Sequence, residues 1–406
     1  MPATQLAAPN VPSPRPEAAA HRLTWADVSA RRLERAGLAA PRGAGAADEA
    51  GTVAAMCGAH AQVLSAGELS VGLRMAGGTR DGVRDALWRR RELVKTFGPR
   101  GTVHLLPVRE LPMWTGALAA VPAGGAALAK GARLTPEQTE QVVDAIGAAL
   151  REAELTAEEL DEAVVAATGP WAGDPVMPAF QGFWPRWRQA LHLAAHRGEL
   201  CFGANRGRKA TYTSPRRLVP GFAPEAAAPA LRALLRRYLH AYGPATPQHF
   251  ATWLAAPRRW AAELFASMGE EVERVRIAES GADGWVLAGD TEPAAEAPRG
   301  LRLLPYFDAY TVAAQPRELL FPGRAAERAL AGGQAGNFPV VLVDGTVSGV
   351  WHLRRSGRRC RITVEPLRAL RPADERELAE QVERVGAFLG ERAESAIGPI
   401  SVGPHA

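Results

Sequence analysis

Hydrophobic and polar positions follow the same order three times along the first 292 residues. In each repeat, apolar residues spaced for one face of a helix predict two or three helices, and the last helix carries several arginines. Alternating apolar residues then predict a short β-hairpin, and these hairpins lie at 93–107, 198–213 and 270–289. This order is the outline of a winged helix-turn-helix, so we predict three such modules in tandem. Capped helices followed by hairpins also occur in many other α+β proteins, which is the alternative interpretation.

Polar residues at the predicted helix starts indicate where individual helices begin. Threonines suited to N-cap positions occur at Thr24, Thr79, Thr135 and Thr156. Residues 65–68, Ser-Ala-Gly-Glu, have the form of a capping box. They predict a helix from about Ala66 toward Met75, with Glu68 as a capping partner.

The patterns divide the chain into five segments. We expect a disordered leader, rich in Pro and Ala, over residues 1–20. The three modules follow at 21–125, 126–222 and 223–292. A β-rich region that ends in an amphipathic helix covers 293–395. The predicted fold class is therefore α+β.

The composition of the 406 residues is that of a globular protein. Hydrophobic residues make up 47% and charged residues 22% of the chain. No apolar run reaches the length of a membrane span, and the N-terminus lacks the layout of a signal peptide. We therefore expect a cytoplasmic location without a membrane partner.

The charge of the chain points toward a polyanion. The net charge is +5, and all but three of the 48 basic residues are arginines, whose planar forks suit phosphate. A solvated surface is the alternative for any one of them, and for Trp184 and Trp187 we weigh DNA stacking against burial. The basic residues on predicted hairpins and basic helices are the candidate DNA contacts, namely Arg100, Arg186, Arg188, Arg206, Arg208, Lys209, Arg354 and Arg355.

Metal-ligating residues are sparse and scattered. The three cysteines, Cys57, Cys201 and Cys360, are far apart and form no metal motif. The pair His192 and His196 has helical spacing, but no further ligand accompanies it. We expect neither a metal nor another cofactor.

The segment CGAHAQVLSAGE at 57–68 separates two predicted helices. In a helix, residues two apart do not face each other, whereas in an extended segment they point to the same side. His60 and Gln62 can therefore serve one site if the chain is extended there. The alternative is that both side chains cap helix ends.

Several segments together resemble the AlkZ/YcaQ-like winged-helix DNA glycosylases. The resemblance spans residues 22–390 in the same order. It rests on GAHAQ (58–62), LVKTFGPRGTVHLLP (93–107), AAHRGELCFGANRGRK (194–209), YLHAYGPATPQHFATW (238–253), LRLLPYFDAYTV (301–312) and VLVDGTVSGVWHL (341–353).

The resemblance implies tandem winged helices that form a C-shape around duplex DNA and excise alkylated bases, notably N7-substituted guanines. Relatives in producers of DNA-alkylating antibiotics act in self-resistance. The family's Gln-x-Gln or Gln-x-Asp motif falls on His60-Ala61-Gln62. Histidine at the first position resembles a variant branch linked to bulky intercalating adducts.

Hydrolysis of the N-glycosidic bond of an N7-alkylated guanine requires few catalytic groups from the protein. A guanine alkylated at N7 leaves as a neutral base without a general acid, while the sugar gains oxocarbenium character. Gln62 could orient a water molecule, and neutral His60 could hold it or accept its proton. Because the sequence near His60 offers no aromatic pocket, we expect a bulky adduct to stay stacked in the duplex rather than be flipped.

We therefore predict a monofunctional DNA glycosylase that acts as a monomer on double-stranded DNA. No lysine stands out as the nucleophile of a lyase. The alternative is a winged-helix regulator or repair accessory protein that binds DNA without chemistry.

Overall fold

In the computed structural model, helices and short strands alternate before residue 292, and strands dominate after it. The structure describes residues 21–41, 43, 48–122, 128–179 and 182–403, so the predicted leader lies outside the described part. Helices and antiparallel strands occur together, as the predicted α+β class requires.

The α-helices are α1 (Trp25–Arg35), α2 (Glu49–Ala55), α3 (Leu64–Gly72), α4 (Arg80–Trp88), α5 (Leu111–Ala119), α6 (Pro136–Arg151), α7 (Ala157–Thr168), α8 (Leu191–His196), α9 (Ala227–Tyr242), α10 (Pro247–Leu254), α11 (Arg258–Ser267), α12 (Ala309–Ala313), α13 (Arg317–Leu320), α14 (Arg324–Ala329) and α15 (Pro372–Leu389). Within the described residues, none of these helices is long and apolar enough to cross a membrane.

The β-strands are β1 (His21–Leu23), β2 (Ala59–His60), β3 (Leu93–Phe97), β4 (Val103–Pro107), β5 (Leu155–Thr156), β6 (Pro175–Pro178), β7 (Phe183–Pro185), β8 (Cys201–Arg206), β9 (Lys209–Thr213), β10 (Val272–Ile277), β11 (Asp283–Leu287), β12 (Leu301–Leu304), β13 (Val340–Val343), β14 (Thr346–Ser356), β15 (Arg359–Pro366) and β16 (Arg392–Ile397). The three predicted hairpins are confirmed as β3–β4, β8–β9 and β10–β11.

The predicted threonine caps are confirmed. Thr24, Thr135 and Thr156 each accept a hydrogen bond from the third residue of their helix, and that residue's side chain bonds back to the threonine N–H. Thr79 accepts from the N–H of Gly82 at the start of α4. These contacts satisfy N–H groups that have no partner within the helix.

The capping box predicted at residues 65–68 is wrong. Helix α3 begins at Leu64, and its N-cap residue makes no side-chain hydrogen bond. Glu68 is fully buried, and its two carboxylate oxygens accept from Arg80 (3.0 Å) and Arg84 (2.8 Å) of α4. A buried carboxylate needs charged partners, so tertiary contacts took precedence over the local pattern.

Each hairpin forms a small sheet with one further strand, and the pairing also joins distant parts of the chain. The three sheets have the orders β2-β4-β3, β5-β9-β8 and β1-β10-β11. A five-stranded sheet has the order β12-β13-β14-β15-β16, and β6 pairs with β7 in a two-stranded sheet. Strand β1 pairs in parallel with β10, with Leu23 opposite Ile277. The first residues described are therefore part of the sheet of the third hairpin.

Helix α1 is fixed to the turn after α9 by a buried arginine. The guanidinium of Arg32 donates to the carbonyl oxygens of Tyr242 (2.7 Å), Gly243 (3.2 Å) and Pro244 (3.1 Å). The apolar face of α9, which includes Leu234 and Tyr238, is buried in the same hydrophobic core as that of α1. Docking of the N-terminal helix therefore depends on a region more than 200 residues away.

Candidate active site

The segment that carries His60 is extended, as predicted. Strand β2 pairs antiparallel with β4, so that His60 lies opposite His104, and the N–H of Ala61 donates to the carbonyl oxygen of Val103 (2.7 Å). Gly58 has a φ of 90°, where a side chain would be strained. Helix α2 thus ends before the junction, and the next residues enter a sheet.

His60 is enclosed by rings. The residue is 7% exposed, and its imidazole stacks on Phe307 at 4.7 Å between ring centroids and meets the edge of His104 at 5.0 Å. Burial lowers the pKa of His60 to about 4, and the positive charge of Arg100 contributes. His60 is therefore neutral at physiological pH and available as a hydrogen-bond partner.

Gln62 occupies a different environment. The strand ends at His60, the chain bends, and the side chain of Gln62 is exposed. The side-chain Oε1 of Gln62 accepts a hydrogen bond from the main-chain N–H of Val103 at 3.3 Å. The main-chain nitrogen of Gln62 lies 3.5 Å from Nδ1 of His60. Gln62 is next to His60 but is not one of the residues that line the cavity described below.

A cavity of about 500 Å³ opens beside His60. The residues that line it combine rings, amides and two arginines, and no carboxylate belongs to this lining: His60, Arg100, Thr102, His249, Thr252, Trp253, Phe307, Val312, Ala313, Gln315, Arg317, Gly333, Gln334, Ala335 and Asn337. These residues come from β2 and the first hairpin, from α10, from the region around α12 and α13, and from the segment between α14 and β13. The volume lies in the range of ligand-binding sites.

A buried ion pair holds the aromatic wall in place. Phe307 precedes α12 and has a φ of 54°, in the left-handed region. The next residue, Asp308, caps α12 and accepts two hydrogen bonds of 2.8 Å from Arg74 and one of 2.5 Å from Ser70. Both members of the Arg74–Asp308 pair are fully buried, so the segment after β12 is anchored to the end of α3.

Sequence reasoning did not identify Phe307, Trp253, His249 and Arg317 as site residues. Phe307, Trp253 and His249 lie in segments that carry the family resemblance, whereas Arg317 lies outside them. No spacing relates any of the four to His60. We expected no aromatic pocket because the residues next to His60 in the sequence offer none. The structure supplies Phe307 and Trp253 from about 190 or more positions further along the chain, which removes the reason given for that expectation.

The predicted DNA contacts on the first hairpin and on the second basic segment have partners within the protein. Arg100 lies at the tip between β3 and β4, and its Nη1 donates to the carbonyl oxygen of Trp253 at 2.7 Å. Arg186 is half-buried and donates to the carbonyl of Gly131 (2.9 Å) and to Asp174 (3.1 Å). The guanidinium of Arg188 lies over Trp184, 5.6 Å from the ring centroid.

The remaining predicted contacts are exposed. Arg206, Arg208 and Lys209 are at the tip of the β8–β9 hairpin, where Arg206 pairs with Glu159 (2.9 Å). Lys209 lies 3.7 Å from Glu158. On β14, Arg354 and Arg355 are exposed, and Arg355 pairs with Glu391. The structure therefore does not bring these residues to the His60 cavity.

Trp184 and Trp187, for which we weighed DNA stacking against burial, differ in their exposure. Trp187 is fully buried, and its Nε1 donates to Asp161 at 2.5 Å, so it belongs to the core. Trp184 is 47% exposed and remains able to contact a partner.

Within the described residues, no cluster of three or more His, Cys, Asp or Glu side chains has the arrangement of a metal site. His196, from the candidate pair, instead lies 3.2 Å from the carbonyl of Gly98.

Comparisons with known proteins relate this geometry to one family. The family model described as DNA glycosylase AlkZ-like matches residues 53–388. A relative from Streptomyces sahachiroi, named interstrand DNA cross-link repair glycosylase, is 32% identical over 350 residues, or 81% of this chain and 88% of the relative. The solved structure of Streptomyces sahachiroi DNA glycosylase AlkZ has a TM-score of 0.77 and 27% identity, and covers 92% of this chain and 99% of its own.

Proposed function

Because the chain belongs to the AlkZ-like DNA glycosylase family, we propose that it hydrolyses the N-glycosidic bond of guanines alkylated at N7, bulky adducts included, in duplex DNA. The enzyme is monofunctional: it releases the modified base and leaves the abasic strand intact. The observation that carries this proposal is the buried, neutral His60 at the wall of a cavity that is lined by rings and cations.

The substrate provides most of the driving force. The alkylated base carries a positive charge, so the electron pair of the breaking bond neutralises it and no protein acid is needed. The deoxyribose becomes cationic and is attacked by water. The remaining task is to place that water and exclude others, which a rigid and partly closed site does well.

We assign that task to His60 and Gln62. The ring of His60 is fixed between Phe307 and His104, so its orientation does not have to be selected during the reaction. A neutral imidazole can accept the proton that water loses as the new C–O bond forms. Gln62 is exposed beside it, so its amide is accessible to solvent.

The arrangement of hairpin units and the C-terminal sheet suits binding of duplex DNA. We propose that the units built on the three hairpins are tandem winged helices and that, with the C-terminal sheet, they form a C-shape around the duplex. Exposed cations at the β8–β9 tip and on β14 contact phosphates, and the protein acts as a monomer. Self-resistance to a DNA-alkylating natural product is the biological role that we propose.

The decisive experiment is release of free modified base from duplexes that carry one N7-guanine adduct, over a series from methyl to bulky intercalating groups. A cross-linked duplex belongs in the series because the Streptomyces sahachiroi relative is named for cross-link repair. We expect His60→Ala to lower the single-turnover rate constant by about a hundredfold or more. His21→Ala, which removes an exposed histidine on β1, is the control and should match the wild type.

Two outcomes would refute the proposal. In the first, every adduct remains uncleaved; salt-dependent binding to one DNA sequence would then identify a regulator. In the second, His60→Ala/Gln62→Ala releases base as fast as the wild type, which would place the chemistry elsewhere. Borohydride should trap no covalent complex, since a monofunctional enzyme forms no Schiff base.

A further inference from the structure

Among the described residues, no carboxylate forms an ion pair with the two arginines that line the cavity. Arg100 donates to the carbonyl oxygen of Trp253 (2.7 Å), and Arg317 donates to the carbonyl oxygens of Thr311 and, at 2.5 Å, Val312. No aspartate or glutamate belongs to the residues that line this cavity. Both guanidiniums therefore keep their full positive charge at the site where the proposed reaction takes place.

Both arginines remain charged inside the cavity. Burial lowers the pKa of Arg317 to about 10, and the charge of Arg100 contributes, so the side chain is still a cation at neutral pH. Arg100 also lowers the pKa of His60. The folded protein thus holds uncompensated positive charge near His60, which is unfavourable unless an anion binds there.

This charge conflicts with the transition state unless the substrate supplies the compensation. Loss of the base makes the deoxyribose cationic, and stabilisation of such a cation requires negative charge nearby. The lining offers none. A nucleotide in duplex DNA, however, carries one phosphate on each side of its sugar, and guanidinium groups bind phosphate well.

We propose that Arg100 and Arg317 bind the two DNA phosphates that flank the lesion nucleotide, and that these phosphates supply the negative charge that stabilises the cationic sugar. This inference rests on the proposed glycosylase function. The bond between C1′ and N9 breaks, and its electron pair goes to the base. The oxygen of water then bonds to C1′, and the water proton goes to His60. The phosphates remain unchanged throughout.

The placement of the two arginines fits this role. Arg100 lies at a hairpin tip and Arg317 begins α13, so they approach the cavity from different elements. Their main-chain carbonyl partners orient each guanidinium but do not neutralise it. Thr102, Gln334 and Asn337 add uncharged hydrogen-bonding groups to the same lining.

The test replaces one phosphate at a time with an uncharged methylphosphonate. Duplexes with one N7-guanine adduct carry this change on the 5′ side of the lesion, on the 3′ side, or several nucleotides away. With wild-type protein, we expect a flanking methylphosphonate to lower the single-turnover rate constant by about tenfold or more. The distant replacement should leave it unchanged within about twofold.

Variants of Arg317 connect the effect to one side chain. Arg317→Gln should lower the rate constant by about tenfold or more and make the protein insensitive to one of the two flanking replacements. Arg317→Lys keeps the charge and should recover part of the rate and of the sensitivity. The matched control is Arg302→Gln, because Arg302 also donates to main-chain carbonyls (Leu38 and Ala39) but lies outside the lining. It should behave as the wild type.

The inference is overturned if wild-type protein releases base equally fast from both flanking methylphosphonate duplexes. It is also overturned if the losses from Arg317→Gln and from each replacement simply multiply. The wild-type comparison holds even if Arg317→Gln fails to fold. Absence of base release from every unmodified duplex would instead refute the proposed function and, with it, the stabilisation of the sugar. Binding of the same duplexes, followed by fluorescence anisotropy, would then show whether Arg317 contacts a phosphate.

Discussion

Base release should be nearly independent of pH between about pH 8 and pH 5, because His60 stays neutral over this range. Burial and the charge of Arg100 lower the pKa of His60 from its usual 6.5 to about 4. Lowering the pKa by this much corresponds to about 3 kcal/mol against the charged ring. At pH 5.5, such a histidine is about 97% neutral, whereas an unperturbed one would be about 9% neutral.

The assay is kcat/KM for base release measured from pH 8.5 down to 4.5, since this ratio reports the ionisation of the free enzyme. The rate at pH 5.5 should remain near its maximum and should fall as the pH approaches 4. A histidine exposed to solvent would already reduce the rate about tenfold at pH 5.5. An inflection near pH 6.5 that disappears in His60→Gln would refute the assignment of a buried, neutral base.

Loss of folding has to be measured in parallel, because other buried histidines titrate in the same range. His196 and His249 also have a pKa lowered to about 4 by burial. Their folded-state pKa lies below the unfolded value, so the stability that they contribute is complete above about pH 6.5 and is lost as the pH falls toward 4. Circular dichroism at each pH separates this loss from protonation of His60.

The contribution of Arg100 can be measured on the free protein. Arg100→Gln removes a nearby positive charge, so the pKa of His60 should rise. Burial is the larger cause, so the new pKa should stay below 6.5. NMR titration of the imidazole protons gives this value without reference to activity. An unchanged pKa in Arg100→Gln would contradict the proposed proximity of the two groups.

Three further perturbations test the rest of the site. Asp308→Asn leaves Arg74 buried without its counter-ion and should lower the free energy of unfolding by about 3–5 kcal/mol. In the same urea titration, Asp283→Asn should leave the free energy of unfolding nearly unchanged, because the ion pairs of Asp283 on β11 are open to solvent. Phe307→Ala removes the ring stacked on His60, so base release should fall and the pKa of His60 should rise as water enters; an unchanged NMR titration would argue against this role of the ring. Arg208→Ala at the exposed hairpin tip should weaken binding to all duplexes alike and lower the slope of log K against log salt by about 1, and an unchanged slope would remove Arg208 from the phosphate contacts.

Local features of the sequence predicted the local features of the fold. The first hairpin follows from alternating Val and Leu around the turn at residues 98–101, and its strands pair as expected. Threonine caps fixed the starts of several helices, because a cap and its partners lie within one turn of each other. The extended junction at His60 was also predictable, since Gly58 ends the preceding helix.

Features that depend on contacts between distant residues were not predictable in this way. Glu68 matched a local capping box, but the fold buries it and pairs it with two arginines of the next helix. Strand β1 joins a sheet whose other strands begin about 250 residues later. The cavity is the strongest case: Phe307 and Arg317 have no spacing relation to His60, and only the folded chain brings them together.

The composition of the cavity ties the proposed chemistry to the integrity of the whole fold. His60 and Arg100 come from the first hairpin region, Trp253 from α10, and Phe307 and Arg317 from the region after β12. These segments are far apart along the chain, so non-covalent contacts hold them together at the cavity. The buried Arg74–Asp308 pair and the contact from Arg100 to the carbonyl of Trp253 provide two of the non-covalent links between them. A change that weakens either link should displace the cavity walls before it unfolds the protein, because the walls depend on these contacts more than the core does. Activity in such variants should therefore be lost at a lower urea concentration than the far-UV circular dichroism signal, and coincident losses would show that the site and the core unfold as one unit.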